Sequence, residues 1–562
     1  MTRLIKPDFS SESFHERALS CISNQNYIDA IGFLNAAIKR NADETEYYLD
    51  LADCYRALGC VEGALKNYCR ALSMDKYAED AYLGLMQTFA EIDRPEMALF
   101  YLSMGLDVGA LGEEYEPDED FLKAELGEDI RFVASTMKEK KFKLLDKYDC
   151  EDKLNFAKKL LMSGQSELAR QVAEDIPKES KQYIEAQKLL ASLFYAFGDK
   201  REALLVCDKI LLSKPFDPFA LSIKMSAHHS LGEAEETEKT AKLLDGLNIT
   251  TKDDLFRLAI SFAEAEDDIR AARAYKRLND EYPYSIEIML PCALAHYNCG
   301  KKATANSLVK KMRKLFPDDT VVAYYARHIL DGKIERLPVF SDLPEGERLR
   351  RLHRIEEAFS MLQHIEAVAV RLDSDDELNE MVRWVLTCPQ SKISSHIADF
   401  LTQDKVWGRF IADLLLDPKV PASIKKDYLV SYLKNGEPKS FSMLVGDIFQ
   451  SFKVNIPKCA DTPKMRECYY ETYGTMAFLA SDFSKKLNKA YKTVVQKMSE
   501  PDYESFAYEN KIMSAVICYL TKAHPILTKK SNCCEIFECT ENELQEYLYK
   551  LKIETKQGEE NA

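Results

Sequence analysis

A spacing of 34 residues recurs through the first 320 residues and restricts the fold more than any other feature of the chain. Small residues repeat at this spacing in two separate phases, which are Ala30, Ala64 and Ala98, and then Ala169, Ala203, Thr237, Ala271 and Ala305. The second phase carries two further markers in the same register. Glycine recurs at 164, 198, 232 and 300, with Glu266 as the exception, and proline recurs at 215, 283 and 317, with Ile249 between them. Self-similarity of this length predicts a solenoid built from one repeated supersecondary unit.

The clearest unit covers 45–78 and combines aromatic, small and turn-forming residues at fixed spacings: Tyr48, Leu51, Ala52, Tyr55, Gly59, Ala64, Tyr68 and Ala71. Alanine at 52 and 64 lets two helices approach closely. Glycine at 59 predicts the end of the first helix, because glycine adopts a left-handed conformation without steric cost. The unit is therefore predicted to be a helical hairpin.

These residues at this period resemble the tetratricopeptide repeat family. The resemblance implies an all-α solenoid of helix-turn-helix units at 11–44, 45–78, 79–112, 150–183, 184–217, 218–251, 252–285 and 286–319, with a closing helix at 320–332. The predicted domains are a three-unit block (1–112), an irregular junction (113–149), a five-unit block (150–332), an extended linker (333–344), a helical C-terminal domain (345–555) and a disordered tail (556–562).

The junction opens with an acidic run, in which six of the eight residues at 113–120 are aspartate or glutamate. Such a run is typical of a solvated linker, with a docking site for a basic partner as the alternative. The two phases do not join, because Ala98 and Ala169 are 71 residues apart. The junction is therefore interpreted as a bend or hinge between the two blocks.

The C-terminal domain has a helical pattern without the 34-residue period. Residues 397–433 faintly resemble HEAT-like helical repeats, and 438–456 predicts a short β segment. Residues 513–552 faintly resemble a helix-turn-helix with a preceding helix. Its second helix carries Glu541, Glu543 and Glu546, and an acidic face opposes the approach to phosphates. A structural helical hairpin is favoured over DNA binding.

Composition excludes several classes of function. The net charge of −16 disfavours nucleic-acid and anionic-membrane partners, which need a basic face. The N-terminus has no signal-peptide pattern, and no apolar run is long enough to span a bilayer. The fifteen cysteines are scattered through helical patterns and are predicted to be free thiols in a reducing compartment. A cytoplasmic location is expected.

No pattern in the sequence indicates catalysis, a cofactor or a metal. Phosphate-binding glycine loops and the nucleophile elbow are absent from the sequence. His228 and His229 are adjacent on a helix and point about 100° apart, so they are not expected to share a metal. Cys533, Cys534 and Cys539 lack a second pair at zinc-finger spacing. Trp384 and Trp407 are predicted to be core residues. The protein is predicted not to be an enzyme.

The remaining candidate is a binding surface. In the resembled family the first helix of each unit lines a concave groove, and the matching positions in this sequence are Glu46, Leu49, Asp53, Arg56, Lys188, Ser192, Tyr195, Ser222, Ser226, His229, Leu290, Leu294 and Tyr297. Leu49 and Asp53 stand where chaperone adaptors of the family carry lysine and asparagine, so that carboxylate clamp is not expected.

The resemblance implies a scaffold or adaptor that binds a protein or peptide partner. Two alternatives remain open: a regulator whose C-terminal domain contacts nucleic acid, and an enzyme with its activity in 345–562.

Overall fold

The three-dimensional structure is a computed structural model. It describes residues 9–92, 94–112, 115, 150–162, 165–360, 365–387, 397–436, 440–459, 462–479, 483–498, 508–523 and 525–554. The predicted acidic junction (113–149, apart from Tyr115) and the predicted tail (556–562) lie outside these residues.

The first predicted block consists of three helical hairpins. Its helices are α1 (Ser11–Ser23), α2 (Tyr27–Arg40), α3 (Thr45–Ala57), α4 (Val61–Met74), α5 (Glu79–Glu91) and α6 (Pro95–Val108). Each successive pair fills one predicted 34-residue unit. Ala30 and Ala64 are fully buried on α2 and α4, and Gly59 adopts the left-handed conformation at φ +69° after α3. The prediction of helical hairpins at this spacing is therefore confirmed.

Helical hairpins also occupy the predicted units from 150 to 319, followed by the closing helix. These helices are α7 (Cys150–Met162), α8 (Ser166–Glu174), α9 (Tyr183–Ala196), α10 (Lys200–Ser213), α11 (Pro218–Ser230), α12 (Ala234–Asp245), α13 (Lys252–Glu264), α14 (Asp268–Glu281), α15 (Ile286–Asn298), α16 (Lys302–Leu315) and α17 (Thr320–Asp331). Helices α10, α14 and α16 each end two residues before a proline, at 215, 283 and 317. Proline restricts the residue before it to extended conformations, which accounts for these endings.

The remaining described elements are again mostly helical. They are α18 (Glu345–Ser360), α19 (Ile365–Ser374), α20 (Asp376–Val385), α21 (Lys405–Leu415), α22 (Ala422–Gly436), β1 (Ser440–Val445), β2 (Ile448–Lys453), α23 (Pro463–Leu479), α24 (Ser484–Met498), α25 (Asn510–Thr521), a short 3₁₀ helix (Pro525–Thr528), α26 (Lys530–Phe537) and α27 (Glu541–Lys550). A further helical turn covers 397–401.

The two strands form an antiparallel hairpin in which Val445 pairs with Ile448, within the segment predicted to be β-like. Phe441 and Phe452 stack across it, with ring centroids 4.9 Å apart.

Trp384 and Trp407 are buried, as predicted. The thirteen cysteines whose side chains the structure describes are free thiols. Among the described helices, none is long and apolar enough to cross a membrane. The HEAT-like resemblance of 397–433 stays a prediction.

The chain divides into two compact units. The first comprises Met1–Lys138, Ile184–Met361 and Leu372–Trp384, and the second comprises Glu139–Tyr183, Leu362–Arg371 and Val385–Ala562. Helices α7 and α8, at the predicted start of the second repeat block, thus belong to the second unit. There α7 packs against α23, and α8 packs against α26. The domain boundaries proposed from the sequence stay a prediction.

Within the first unit, the two repeat blocks contact each other although they are distant in the chain. Helix α2 packs against α16. The Tyr55 hydroxyl donates a buried hydrogen bond to the Leu315 carbonyl oxygen at 2.8 Å. Two ion pairs flank this contact, joining Lys39 to Asp318 and Lys314 to Asp29 at 3.0 and 3.1 Å. The end of the second block therefore supports the start of the first.

The connecting segment (residues 333–344) contains no helix or strand. It lies within the first compact unit, and its role as a linker between domains stays a prediction. Leu337 is only 2% exposed. Asn298, at the end of α15, donates from Nδ2 to the Leu337 carbonyl oxygen at 2.8 Å and accepts from the Leu337 amide at 2.9 Å. These two bonds satisfy the backbone amide and carbonyl groups of Leu337, which have no helix or strand partners. They hold the segment against α15 of the second block.

Candidate functional site: the first helices of the repeats

Helix α3 carries four of the groove candidates along one side. Glu46, Leu49, Asp53 and Arg56 follow the 3.6-residue helical period, so they share a face. Glu46 and Asp53 are exposed, and Leu49 and Arg56 are partly exposed. The opposite side of α3 is buried in the repeat core. The structure thus presents these four side chains on the surface of the first block.

Asp53 and Arg56 are held in place by residues of the neighbouring helices. The Tyr68 hydroxyl on α4 donates to Asp53 Oδ1 at 2.5 Å. Arg56 donates from Nε to the same hydroxyl at 3.3 Å and from Nη1 to Glu91 on α5 at 2.9 Å. These bonds restrict the rotamers of both candidate side chains, so less conformational entropy would be lost if a ligand bound them.

Two glycines allow the close helix packing behind this face. A Cβ atom on Gly63 would lie 2.6 Å from the Tyr55 ring, and one on Gly84 would lie 2.2 Å from the Tyr68 ring. Both distances are far below van der Waals contact, so each ring occupies the volume that a larger residue would need. Neither glycine follows the 34-residue spacing, so the sequence analysis missed this packing role. The one sequence feature that could have indicated this role is the presence of glycine inside a helical pattern.

His15 and Asp50 flank Glu46 and were not among the groove candidates. His15 lies on α1, and its Nε2 atom is 2.6 Å from Asp50 Oδ2 on α3. Burial raises the pKa of Asp50 above its ordinary value, against the opposing effects of the hydrogen bond and the charge of His15. No sequence pattern indicates this pair, because the two residues are 35 positions apart on different helices.

Helix α9 presents the second group of groove candidates. Lys188, Ser192 and Tyr195 are all partly exposed. Lys188 pairs with Asp217 and Glu185, each at 3.3 Å. Burial by itself would lower the pKa of Lys188, but the negative charges of Asp217 and Glu185 raise it above its usual value. Lys188 is therefore a positive side chain whose charge is balanced within the repeat.

Tyr195 belongs to a polar network that spans three first helices. Its hydroxyl donates to Glu264 Oε2 on α13 at 3.2 Å. Arg257, also on α13, donates to the same oxygen at 2.9 Å and to Ser226 Oγ on α11 at 3.2 Å. Arg257 and Glu264 were missed by the sequence analysis, which named no groove residue in the 252–285 unit. The sequence feature that could have identified them is an arginine and a glutamate seven positions apart, which places both on one face of the helix.

The other candidates on α11 and α15 differ in exposure. Ser222, Ser226, Leu290, Leu294 and Tyr297 are all buried. The hydroxyl of Tyr297 donates to the carbonyl oxygen of Ile334 in the connecting segment. These five residues pack within the first unit and offer no open surface.

His229 is exposed, whereas its neighbour His228 is buried. The Nδ1 atom of His228 lies 2.5 Å from Glu233 Oε2. The two adjacent histidines therefore have different surroundings, and His229 is the candidate of α11 that remains accessible.

In the second unit, two of the C-terminal cysteines are buried, whereas the glutamates of the acidic helix are exposed. Cys533 and Cys534 are buried on α26. Hydrogen bonding to Cys518 and burial raise the pKa of the Cys533 thiol. On α27, Glu541, Glu543 and Glu546 are all exposed. The helix predicted to be acidic thus presents its carboxylates to solvent.

The described helical hairpins define an all-α protein built on helix-turn-helix repeats. No protein-family model matches the sequence, and no curated protein matches it. Among solved structures, the TPR domain of P58(IPK) is 15% identical, with a TM-score of 0.21 and coverage of 58% of this chain and 99% of that chain. Yeast Tom70 is 13% identical, with a TM-score of 0.21 and coverage of 96% of both chains.

PilW, a type IV pilus biogenesis factor, is 13% identical, with a TM-score of 0.16 and coverage of 50% of this chain and 96% of that chain. All three TM-scores lie below 0.5.

Proposed function

We propose that the protein is a non-catalytic interaction scaffold that binds a peptide or protein partner along the first helices of its repeats. The observation that carries the proposal is the surface of α3, where Glu46, Leu49, Asp53 and Arg56 share one side of the helix and remain accessible. Repeat solenoids use such extended faces for binding. An apolar side chain surrounded by charged ones supplies both contact area and orientation for a partner.

The second part of the proposed surface consists of the accessible candidates on α9 and α11, which are Lys188, Ser192, Tyr195 and His229. Their lysine, serine, tyrosine and histidine differ in chemistry from the mainly acidic face of α3. An extended or helical segment is the kind of partner that a groove of stacked helices accommodates. The buried candidates, among them Leu290 and Leu294, are not part of this surface.

Photo-crosslinking tests the proposal directly. A photoreactive residue is placed at Leu49 in the full chain, and a matched variant carries it at Leu212, a leucine that is 86% exposed on α10. After illumination in native lysate, position 49 is expected to give discrete adducts that position 212 does not give. Identical adducts from both positions, or no adduct from position 49, would contradict the proposal.

A substitution pair provides the second arm of this test. Leu49→Arg places a long charged side chain on the proposed surface and is expected to abolish capture of the crosslinked partner. Leu212→Arg makes the same chemical change away from that surface and is expected to leave capture intact. Equal capture by both variants would show that the partner binds elsewhere.

A further inference from the structure

We propose that His15, Glu46 and Asp50 form a zinc-binding site between α1 and α3. One potential ligand atom from each residue lies within 4.8 Å of the other two. Among the described residues, this is the one such group of three or more histidine, cysteine, aspartate or glutamate side chains. The site shares Glu46 with the proposed partner surface, but zinc binding does not require the partner, because all three ligands come from this chain.

The repeat architecture positions the ligands. Glu46 and Asp50 are four residues apart on α3, so their side chains project from the same side of the helix on successive turns. His15 projects from α1, the first helix of the preceding unit. The ring of Tyr47 lies beside the His15 imidazole, with centroids 4.8 Å apart, and restricts its orientation. Three ligands are thus supplied by two helices that the core holds in place.

The three ligand atoms lie within 4.8 Å of one another, so side-chain movement brings them to zinc distances. Zinc binds imidazole nitrogen and carboxylate oxygen at about 2.0–2.2 Å, which places ligand atoms of a tetrahedral site about 3.3 Å apart. His15 Nε2 and Asp50 Oδ2 are 2.6 Å apart because they share a hydrogen bond. The zinc ion takes the place of the shared proton at Nε2. This proton is released to solvent from a protonated imidazole and moves to Nδ1 in a neutral one, and the two atoms separate by about 0.7 Å.

Burial and charge favour a cation at this position. The side chains of His15 and Asp50 are 12% and 23% exposed, so the pair is partly shielded from water. Glu46 and Asp53 add negative charge on the same side of α3. Glu46 is exposed, which leaves the solvent side open for water as a fourth ligand.

The ligand chemistry selects zinc over the common hard cations. Mg²⁺ and Ca²⁺ require six or more oxygen ligands, whereas imidazole suits zinc and related transition metals. Three protein ligands with one open position are typical of accessible zinc sites. Cys54, a further turn along α3, is 1% exposed and is not assigned to the site.

Calorimetric titration of the EDTA-treated, dialysed full chain with zinc chloride tests the site. The wild-type protein is expected to bind one zinc ion at this position, and His15→Ala is expected to weaken that binding at least about 100-fold. The matched control is His353→Ala. His353 forms an exposed pair with Glu357 at 3.4 Å on α18 but has no third ligand within the described group, so binding should stay unchanged.

Glu46→Gln keeps the test informative if His15→Ala fails to fold. Glu46 is exposed, so its substitution is expected to weaken zinc binding about tenfold with an unchanged melting curve. Cobalt substitution provides an independent readout, because a thiolate ligand would add a charge-transfer band that a site of imidazole and carboxylates lacks. Absence of zinc binding, binding that is equal in wild type and both variants, or a thiolate band would overturn the proposal.

Discussion

Glu266 occupies the position between α13 and α14 that glycine holds in the turns at 198, 232 and 300. Its φ angle is +57°, and those of Gly232 and Gly300 are +76° and +75°. The turn therefore keeps its left-handed geometry without glycine. A non-glycine residue in this conformation costs about 1–2 kcal/mol, so the geometry is imposed by the flanking helices.

Two glycine substitutions should shift stability in opposite directions. Gly232→Ala is expected to destabilise the first unit by about 1 kcal/mol, because alanine disfavours positive φ. Gly32→Ala is expected to stabilise it by about 0.5–1 kcal/mol, because Gly32 lies within α2 with open space around its Cα and alanine favours a helix. Midpoints of urea unfolding, followed by circular dichroism, measure both changes. Shifts of the same sign would contradict the argument.

The sequence predicted the residues that obey the period and missed those that depend on contacts between helices. Ala203, Ala271 and Ala305 are fully buried, as their spacing indicated. Leu290 and Leu294 matched the groove positions equally well, yet they are 2% and 0% exposed. The pattern that assigns a residue to a face does not reveal what covers that face.

At the scale of single elements, the connecting segment depends on Asn298. The side chain bonds both the amide and the carbonyl group of Leu337. Asn298→Ala removes both bonds and is expected to speed cleavage of 333–344 in limited proteolysis, with a loss of about 1–3 kcal/mol in local stability. The matched control is Lys333→Ala, since Lys333 forms an exposed ion pair with Asp331. Cleavage at equal rates in both variants would show that Asn298 does not hold the segment.

Helix α27 begins with a capping box. Thr540 accepts from the Glu543 amide, and the Glu543 carboxylate accepts from the Thr540 amide at 2.8 Å. Thr540→Ala is expected to lower the stability of the second unit by about 1 kcal/mol, measured by chemical unfolding. Ser531→Ala, an exposed hydroxyl removal on α26, is the control and should have a smaller effect.

The same cap predicts a dependence on pH. Hydrogen bonds from the Thr540 amide and hydroxyl lower the pKa of Glu543 below its ordinary value. The folded protein therefore favours the ionised form, and this stabilisation is present above the ordinary glutamate pKa of about 4.3. It is lost as the pH falls through the lower, folded-state value. Unfolding midpoints at descending pH should converge for wild type and Glu543→Gln, and parallel curves would contradict the prediction.

At the scale of the whole molecule, the contact between the two repeat blocks depends on a hydroxyl group. Tyr55→Phe removes the buried bond to the Leu315 carbonyl oxygen and leaves the ring in place. A loss of about 1–2 kcal/mol in the unfolding free energy of the first unit is expected. Tyr77→Phe, on a 54% exposed side chain, is the control. Equal unfolding midpoints for both variants would show that the bond contributes nothing to the contact.

The spacing predicted the helical hairpins in both phases, because each phase repeats its own signature. The contact of α2 with α16 could not be predicted. Tyr55 matches the repeat signature whether or not it contacts another block, and the backbone carbonyl that accepts its bond has no sequence signal. Long-range contacts of this kind depend on the path of the chain, which local patterns do not encode.

The bond between Tyr55 and Leu315 also has a consequence for synthesis. Its two residues are 260 positions apart. At about 5–20 residues per second, the ribosome adds Leu315 roughly 13–50 seconds after Tyr55. Throughout that interval the nascent first block presents to the cell the surface that α16 later covers, so its three hairpins must hold together without that support.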